Sequence, residues 1–598
     1  MKRKVVGIAL GLFFGLWAIY AIAANVILRT SLLRSWLTTD QLHVEYASAW
    51  SWLPGRVHAR GYSMRFQDSN VQFQLDLERV TFQVDPFALV GKRFHLTHVD
   101  ADGARFLFRH KLDRVEGKER RVAAYPHIEG FSDPPLKTSG HGPPTPDYAY
   151  RLWTIELDDV STSLREIWVM EYRYVGPGSI AGGFRLKPER ELRVDPSVML
   201  TRGGVVSIGD QPVLARSHGA LEAHVPNYDV RNPEGLEVFR QVDARVDLDG
   251  DVASLVPFGN TYIDAKDYAI ERGEGRMQIH AHMDRGPLTE DSKVSLRSRD
   301  VVVKTPIGIV RGDALARASI ERGKLVFDAS LPSASLAIDG KPAVHARGAE
   351  THVDLGNDDV TKPFRLAGLS FAVASAAAPD LRLLAPLVPQ LRGGAAEVAG
   401  RATVRGEAID ARADVWLDDA HVGTKDLDVV ASGRAWASVA SAAEARVANV
   451  IAGVEGRGVS VTMKSAQAKN LAVDVRTSGA LLPRTDLDVE VRATPGDEVL
   501  RLVAGAASIP DAAADVVAGQ VLEARARVRA ARGDRTFDLL DAHDGKLAAR
   551  GTLHASKART QGAFLVSVGA LRAGIEVNRG GASVTPAASD AWLEAKLR

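Results

Sequence analysis

Two histidines are the residues best placed by type and spacing to do chemistry. His280 and His282 stand two apart in "MQIHAHMD", so on a strand they share one face and could ligate one ion. They share that face with Gln278 and Asp284, opposite Met277 and Ile279. A metal would need two further ligands, and no cluster in the sequence supplies them, so a solvated face is the expectation. "DADG" at Asp100 to Gly103 and "DLDGD" at Asp247 to Asp251 have the flavour of calcium loops. Both lack the ligand spacing and terminal glutamate of an EF-hand, and acidic-glycine turns between strands are ordinary. There is no Gly-x-Ser-x-Gly elbow, phosphate loop or dinucleotide fingerprint. The chain has no cysteine, which removes disulfides, thiolate catalysis and cysteine-based zinc sites. The expectation is therefore no catalytic residue, no metal and no cofactor, with function residing in a surface.

That surface is written as a period of two. Between Asn70 and His110, Val71, Phe73, Leu75 and Leu77 are apolar, while Gln72, Gln74, Asp76 and Glu78 are polar. The pattern returns at Val80, Phe82 and Val84, at Phe94, Leu96 and Val99, and at Phe106 and Phe108. Such alternation places one greasy and one wet face on a strand. Short alternating runs joined by Gly, Asp or Asn turns continue to the C-terminus, as in "TDLDVEVRA" and "LEARARVRA". Connections this short suit antiparallel neighbours.

The fold class expected is mainly β: an N-terminal transmembrane helix, then an elongated, antiparallel, curved β-sheet groove with few short helices. Roughly 25 to 30 strands at about 4.8 Å spacing predict a groove on the order of 120 to 140 Å long.

The start of the chain is a different solvent problem. Lys2, Arg3 and Lys4 precede an uncharged stretch from Val5 to Leu28, longer than the about 20 apolar residues that cross a bilayer. Trp17 and Tyr20 suit an interface, and the basic start places Met1 in the cytoplasm. A cleaved signal peptide ending near Ala21 to Ala23 is the alternative; either way the body is exported. Residues 1–37 are read as cytoplasmic start, transmembrane helix and juxtamembrane helix, and 38–110 as a first β module. Residues 111–150, dense in Pro and Gly, form an exposed excursion. A middle β section covers 151–377, a helical plug or connector 378–394, and a C-terminal β module 395–598. Trp50 and Trp52 are read as core anchors, with a membrane-proximal belt as the alternative. A net charge of +1 with interleaved signs, and aromatics at 6%, speak against nucleic-acid partners.

From "VEYASAWSWLPGRVHARGYSMRFQDSN" through "DPFALVGKR" to "HLTHVDADGARFLFR", the chain resembles the start of AsmA-like proteins of Gram-negative envelopes. The later "LRLLAPLVPQLRGGAAEVAGRATVRGEAIDARADVWLDDAHV" is similar to small-residue β modules of the AsmA and TamB group. The resemblance implies a periplasmic, inner-membrane-anchored, repeating β-groove of the bridge-like type. It implies roles in phospholipid movement towards the outer membrane or in envelope maintenance, with acyl chains as ligand. It carries over no catalytic residues. The groove-facing candidates come from the alternation: Val71, Phe73, Leu75, Val80, Phe82, Val84, Phe106 and Phe108. The same pattern also fits closed β-sandwich modules serving as an envelope scaffold with a protein partner.

Overall fold

In the computed structural model the fold is mainly β, a 28-stranded sheet with few helices. The structure describes all residues except 1, 31–37, 39–40, 69, 138–153, 188–189, 230–238, 264, 442–447, 464–465, 483, 507–519, 532–533, 557–559, 579–580 and 598. The juxtamembrane helix and the end of the excursion fall outside the described residues. Contacts divide the chain into two compact units, the first mainly Met1–Lys304 and the second mainly Leu366–Arg598, with the strands between shared out among them.

The first unit opens with helix α1 (Lys2–Arg29). Strands β1 (Leu42–Glu45) and β2 (Ser48–Leu53) both pair with β3 (Arg56–Gln67). The ladder continues through β4 (Val71–Val84), β5 (Arg93–His110), β6 (Thr154–Val169), β7 (Tyr172–Lys187), β8 (Glu191–Ile208), β9 (Gln211–Asp229), β10 (Asp243–Val252), β11 (Ala269–Asp284) and β12 (Lys293–Thr305). Every described pairing between these strands is antiparallel except β5 with β6, which is parallel. A parallel pair needs a crossover of a dozen residues or more. That requirement accounts for the long segment after His110. Its described part folds back onto the sheet. Arg109, with no exposure, donates from Nε to Gln72 at 2.8 Å and from its other nitrogens to the carbonyls of Pro126 and Ser132 at 3.0 and 2.8 Å.

The alternation slips phase once, in three strands at the same level. Ala59 and Tyr62, Leu77 and Val80, and Ala101 and Ala104 are all buried although each pair is three apart. Gly61 and Gly103, at φ of 59° and 69°, supply the left-handed backbone that lets the flanking strands make this step. A Cβ on Gly103 would lie 2.6 Å from the Glu78 side chain.

Strands β13 (Gly308–Ile320) and β14 (Leu325–Ile338) are divided between the units. The second unit's ladder runs through β15 (Lys341–Asp354), β16 (Gly368–Ala378), β17 (Leu391–Arg405), β18 (Ala408–Gly423), β19 (Leu427–Ser441), β20 (Ala448–Met463), β21 (Ala466–Leu482), β22 (Thr485–Thr494), β23 (Leu522–Ala531), β24 (Asp534–His543), β25 (Leu547–Ala555), β26 (Thr560–Val568), β27 (Leu571–Asn578) and β28 (Gly581–Pro586). Among the described pairings β28 has β27 as its sole neighbour, so this ladder ends in an edge.

Among the described residues, five helical segments recur at one interval along the strands. Helix α2 (Pro86–Val90) follows β4, and after α3 (Glu119–Val122) in the crossover, α4 (Val256–Tyr262) follows β10. A 3-10 turn (Leu381–Leu384) follows β16, α5 (Gly496–Ala506) follows β22, and α6 (Asp590–Leu597) follows β28. Each of these stands six strands after the last, the mark of a repeated unit. The 3-10 turn falls inside the 378–394 segment, whose ends belong to β16 and β17.

Candidate functional site: the apolar face of the sheet

All eight sequence-predicted groove residues lie in one apolar cluster of the first unit. Phe73, Val80 and Phe82 are buried, and Val71, Leu75, Val84, Phe106 and Phe108 are half-buried against them. Register explains the grouping. Phe66 pairs with Phe73 and Phe73 with Phe108, while Met64, Leu75 and Phe106 form the next row. The rings pack accordingly, with Phe66 and Phe73 centroids 5.1 Å apart and Phe73 and Phe106 6.0 Å apart, within the favourable range for aromatic pairs. Helix α1 closes one margin of this unit. The Tyr46 hydroxyl donates to the Leu28 carbonyl at 2.8 Å, and the Asn25 side chain both donates to and accepts from the Ser51 backbone.

In the second unit the same kind of face is built from small residues. Directly paired antiparallel residues point to the same side of a sheet, so register traces one row from β15 to β28. It reads Ala346, Ala376, Val398, Val415, Ala435, Val454, Val475, Val491, Ala524, Ala542, Ala549, Val566, Ala573 and Pro586. A second row beside it runs through Ala413, Ala437, Ala452, Thr477, Val489, Ala526 and Leu539. The opposite side carries Glu397, Trp416, Arg434, Glu455, Asp474, Arg492 and Glu523 in register. One side therefore carries an unbroken apolar row, and the other carries charge across β17 to β23.

Cover on the apolar side sits at its margin. The 3-10 turn packs Leu381 and Leu384 near Ala378 and Leu417, and α5 packs Val499 and Leu502 near Val473. These belong to the row just beyond the Ala/Val row, because Ala378, Ala396, Leu417, Gly433, Gly456 and Val473 are paired in turn. Helix α6 lies on the other side, with Trp592 and Leu593 against Ala563 and Leu565. The middle of the apolar face holds a shallow cavity of about 200 Å³ lined by Ala413, Val415, Ala435, Ala437, Ala452 and Val454 among others. Val454 is 41% exposed. Alanine is a poor strand former. Its recurrence here leaves room above the sheet where a larger side chain would fill it.

The polar constellations resolve as ion pairs. His280 faces Asp247 from Nδ1, and its Nε2 lies 3.2 Å from Asp291; His282 lies 3.2 Å from Asp243. Asp243 and Asp247 come from β10, where His282 and His280 find them across the strands, and Asp291 comes from the turn after β11; none of these pairings was visible in the sequence. Asp247 and Asp291 sit on opposite sides of the His280 ring and do not converge on one point. Hydrogen bonds to Asp247 and then Asp291 raise the His280 pKa. The Thr289 hydroxyl, then His280, hold Asp291 at about 2.

His95, Glu156 and Asp158 bring ligand atoms within 4.8 Å of one another. There Arg93 already holds Glu156 at 2.6 Å, and His95 holds Asp158 at 2.7 Å. A buried Glu171 accepts from Arg121 at 2.9 Å and from the Tyr262 hydroxyl at 2.8 Å, which ties the crossover segment to α4.

One expectation from the sequence changes. Trp50 stacks on His58 at 5.5 Å, but Trp52 is 58% exposed and anchors no core, because it lies at the tip of the β2–β3 hairpin. Among the described residues no helix is long and apolar enough to cross a membrane. The described side chains of α1 are Leu12 and those from Phe14 on, fewer than the about 20 residues a span requires. No family model matches the chain, and no curated protein matches it.

Proposed function

We propose that this protein is an exported chain, anchored in the inner membrane through Val5 to Leu28, whose apolar sheet face holds phospholipid acyl chains and serves lipid transport towards, or maintenance of, the outer membrane. One observation carries the reading: the Ala/Val row from Ala346 to Pro586, apolar at every strand, with helical cover, among the described residues, at its margin. A large uncovered apolar surface marks a partner or ligand surface. A face with a charged reverse and shallow side chains suits a flexible hydrocarbon chain lying along it.

The resemblance to AsmA-like proteins supports the same reading from the sequence side. The role assigned to the protein is non-enzymatic. Its site lies in rows of side chains rather than in a constellation of reactive groups.

The test is mass spectrometry of the full chain released from detergent, compared with Val454→Asp and Val475→Asp. The reading predicts phospholipid bound to the wild type and lost from both variants, with circular dichroism unchanged. A lipid-free, folded wild type would contradict it and favour an envelope scaffold that binds protein through closed modules.

A further inference from the structure

We infer that the end of the first unit carrying the β2–β3 and β4–β5 turns is a membrane-docking surface that sinks into the interfacial layer of a phospholipid bilayer. This rests on the membrane anchoring proposed above and adds a second contact to it. Phe87 is 85% exposed and Val90 89%. Trp52 and Leu53 are 58% and 54% exposed. These large apolar side chains crown the two turns at the same end of the antiparallel ladder, where the Val84 amide donates to the Gly55 carbonyl at 2.6 Å. Asp85 caps α2 by accepting from the amides of Phe87 and Ala88, which fixes the short helix and presents Phe87 and Val90 outward. Arg56 and Lys92 are exposed on the same turns, a complement to anionic headgroups.

The course of α1 identifies the occupant. Its Trp17 indole donates to the Trp52 carbonyl at 2.8 Å, and its Tyr20 hydroxyl donates to the Leu53 carbonyl at 3.0 Å. The helix thus passes the hairpin tip at Trp17, and from there to Leu28 one side of it packs on the sheet. From Val5, where the uncharged stretch begins, to Leu16 it extends about 18 Å at 1.5 Å per residue. The hydrocarbon core is about 30 Å thick.

A shortfall of about 12 Å remains, which sinking by the about 5–10 Å that interfacial elements bury largely makes up, with local bilayer thinning taking the rest. Sinking the tip by that depth lets α1 span and gives Trp52, Leu53, Phe87 and Val90 a lipid environment. The outer side of the adjoining turns agrees, since Ile19 and Ile22, within that depth of Trp17, are exposed.

Because the chain has no cysteine, single nitroxide labels can be placed cleanly. The experiment labels full-length Leu53→Cys, Val90→Cys and Leu136→Cys in phosphatidylethanolamine–phosphatidylglycerol liposomes. It reads accessibility to oxygen, which partitions into lipid, and to a water-soluble nickel chelate. Leu136, 40% exposed beside Leu112 just past the other end of β5, is the aqueous control. The expected result is oxygen exceeding nickel accessibility at Leu53 and Val90, with the ratio inverted at Leu136.

Aqueous labels at Leu53 and Val90 on a chain that floats with liposomes and resists carbonate would overturn the docking surface and leave the anchor standing. Labels shielded from both reagents would overturn it in favour of a protein partner. A chain that does not float would remove the anchor and the docking surface together.

Discussion

The two units build one kind of face from different residues. In the first, Phe66, Phe73, Phe82, Phe106 and Tyr62 interlock, and the deeper members are closed off. In the second, alanine and valine recur from strand to strand, and Val454 stays 41% exposed. Bulky rings fill the space above a sheet and make a core; small side chains leave that space empty. The same period-two code therefore yields a packed cluster in one place and an open surface in the other. Residue volume decides which.

Charge placed into each face should separate them most strongly. Phe73→Asp puts an unpaired carboxylate among buried rings and should cost more than about 4 kcal/mol, read by denaturant unfolding. Val454→Asp on the open row should cost less than about 1 kcal/mol and still abolish lipid binding. Equal costs at the two sites would erase the distinction between the units.

A smaller effect concerns what the crossover segment closes. Arg109→Met removes the donor to Gln72, Pro126 and Ser132, leaving buried acceptors unmatched. It should destabilise the first unit by about 2–3 kcal/mol. Hydrogen exchange should accelerate across residues 111–137 while the second unit is unchanged.

The smallest effect is a pH dependence in the first unit. The His280 pKa is raised by Asp247 and Asp291, so its contribution is fully present below the unfolded value near 6.5. It fades as pH rises through the higher folded value. The exposed pair is screened by water, so NMR titration of the ring is the readout. It should titrate above 6.5, and Asp247→Asn should bring it down. At the acid end, Asp291, depressed to about 2, contributes above the ordinary carboxylate value and loses that as pH falls towards 2.

Much of this was legible from one strand at a time. Alternation at Val71 to Leu77 and Val80 to Val84 found both the strands and the apolar face, although Gln72 on the polar side is also buried, beneath the crossover segment. The phase slip was visible as the break between Leu77 and Val80, though its cause, Gly61 and Gly103 on the neighbouring strands, was not. Pairing across long separations was hidden. Nothing local announced that β5 and β6 run parallel, that Arg109 is buried, or that Asp247 faces His280. The interval of six strands between helical segments was readable in principle, from the spacing of "DPFALV", "VPFGNTY" and "DLRLL". Trp52 misled because a tryptophan at a hairpin tip has the same composition as one in a core.

The most direct measurement is photocrosslinking in membranes along β20 and β21, with a photoreactive residue in turn at Val454, Glu455, Asp474 and Val475. The account predicts phospholipid adducts at Val454 and Val475 and none at Glu455 and Asp474, which point to the charged side. Adducts on both sides alike, or on neither, would contradict it.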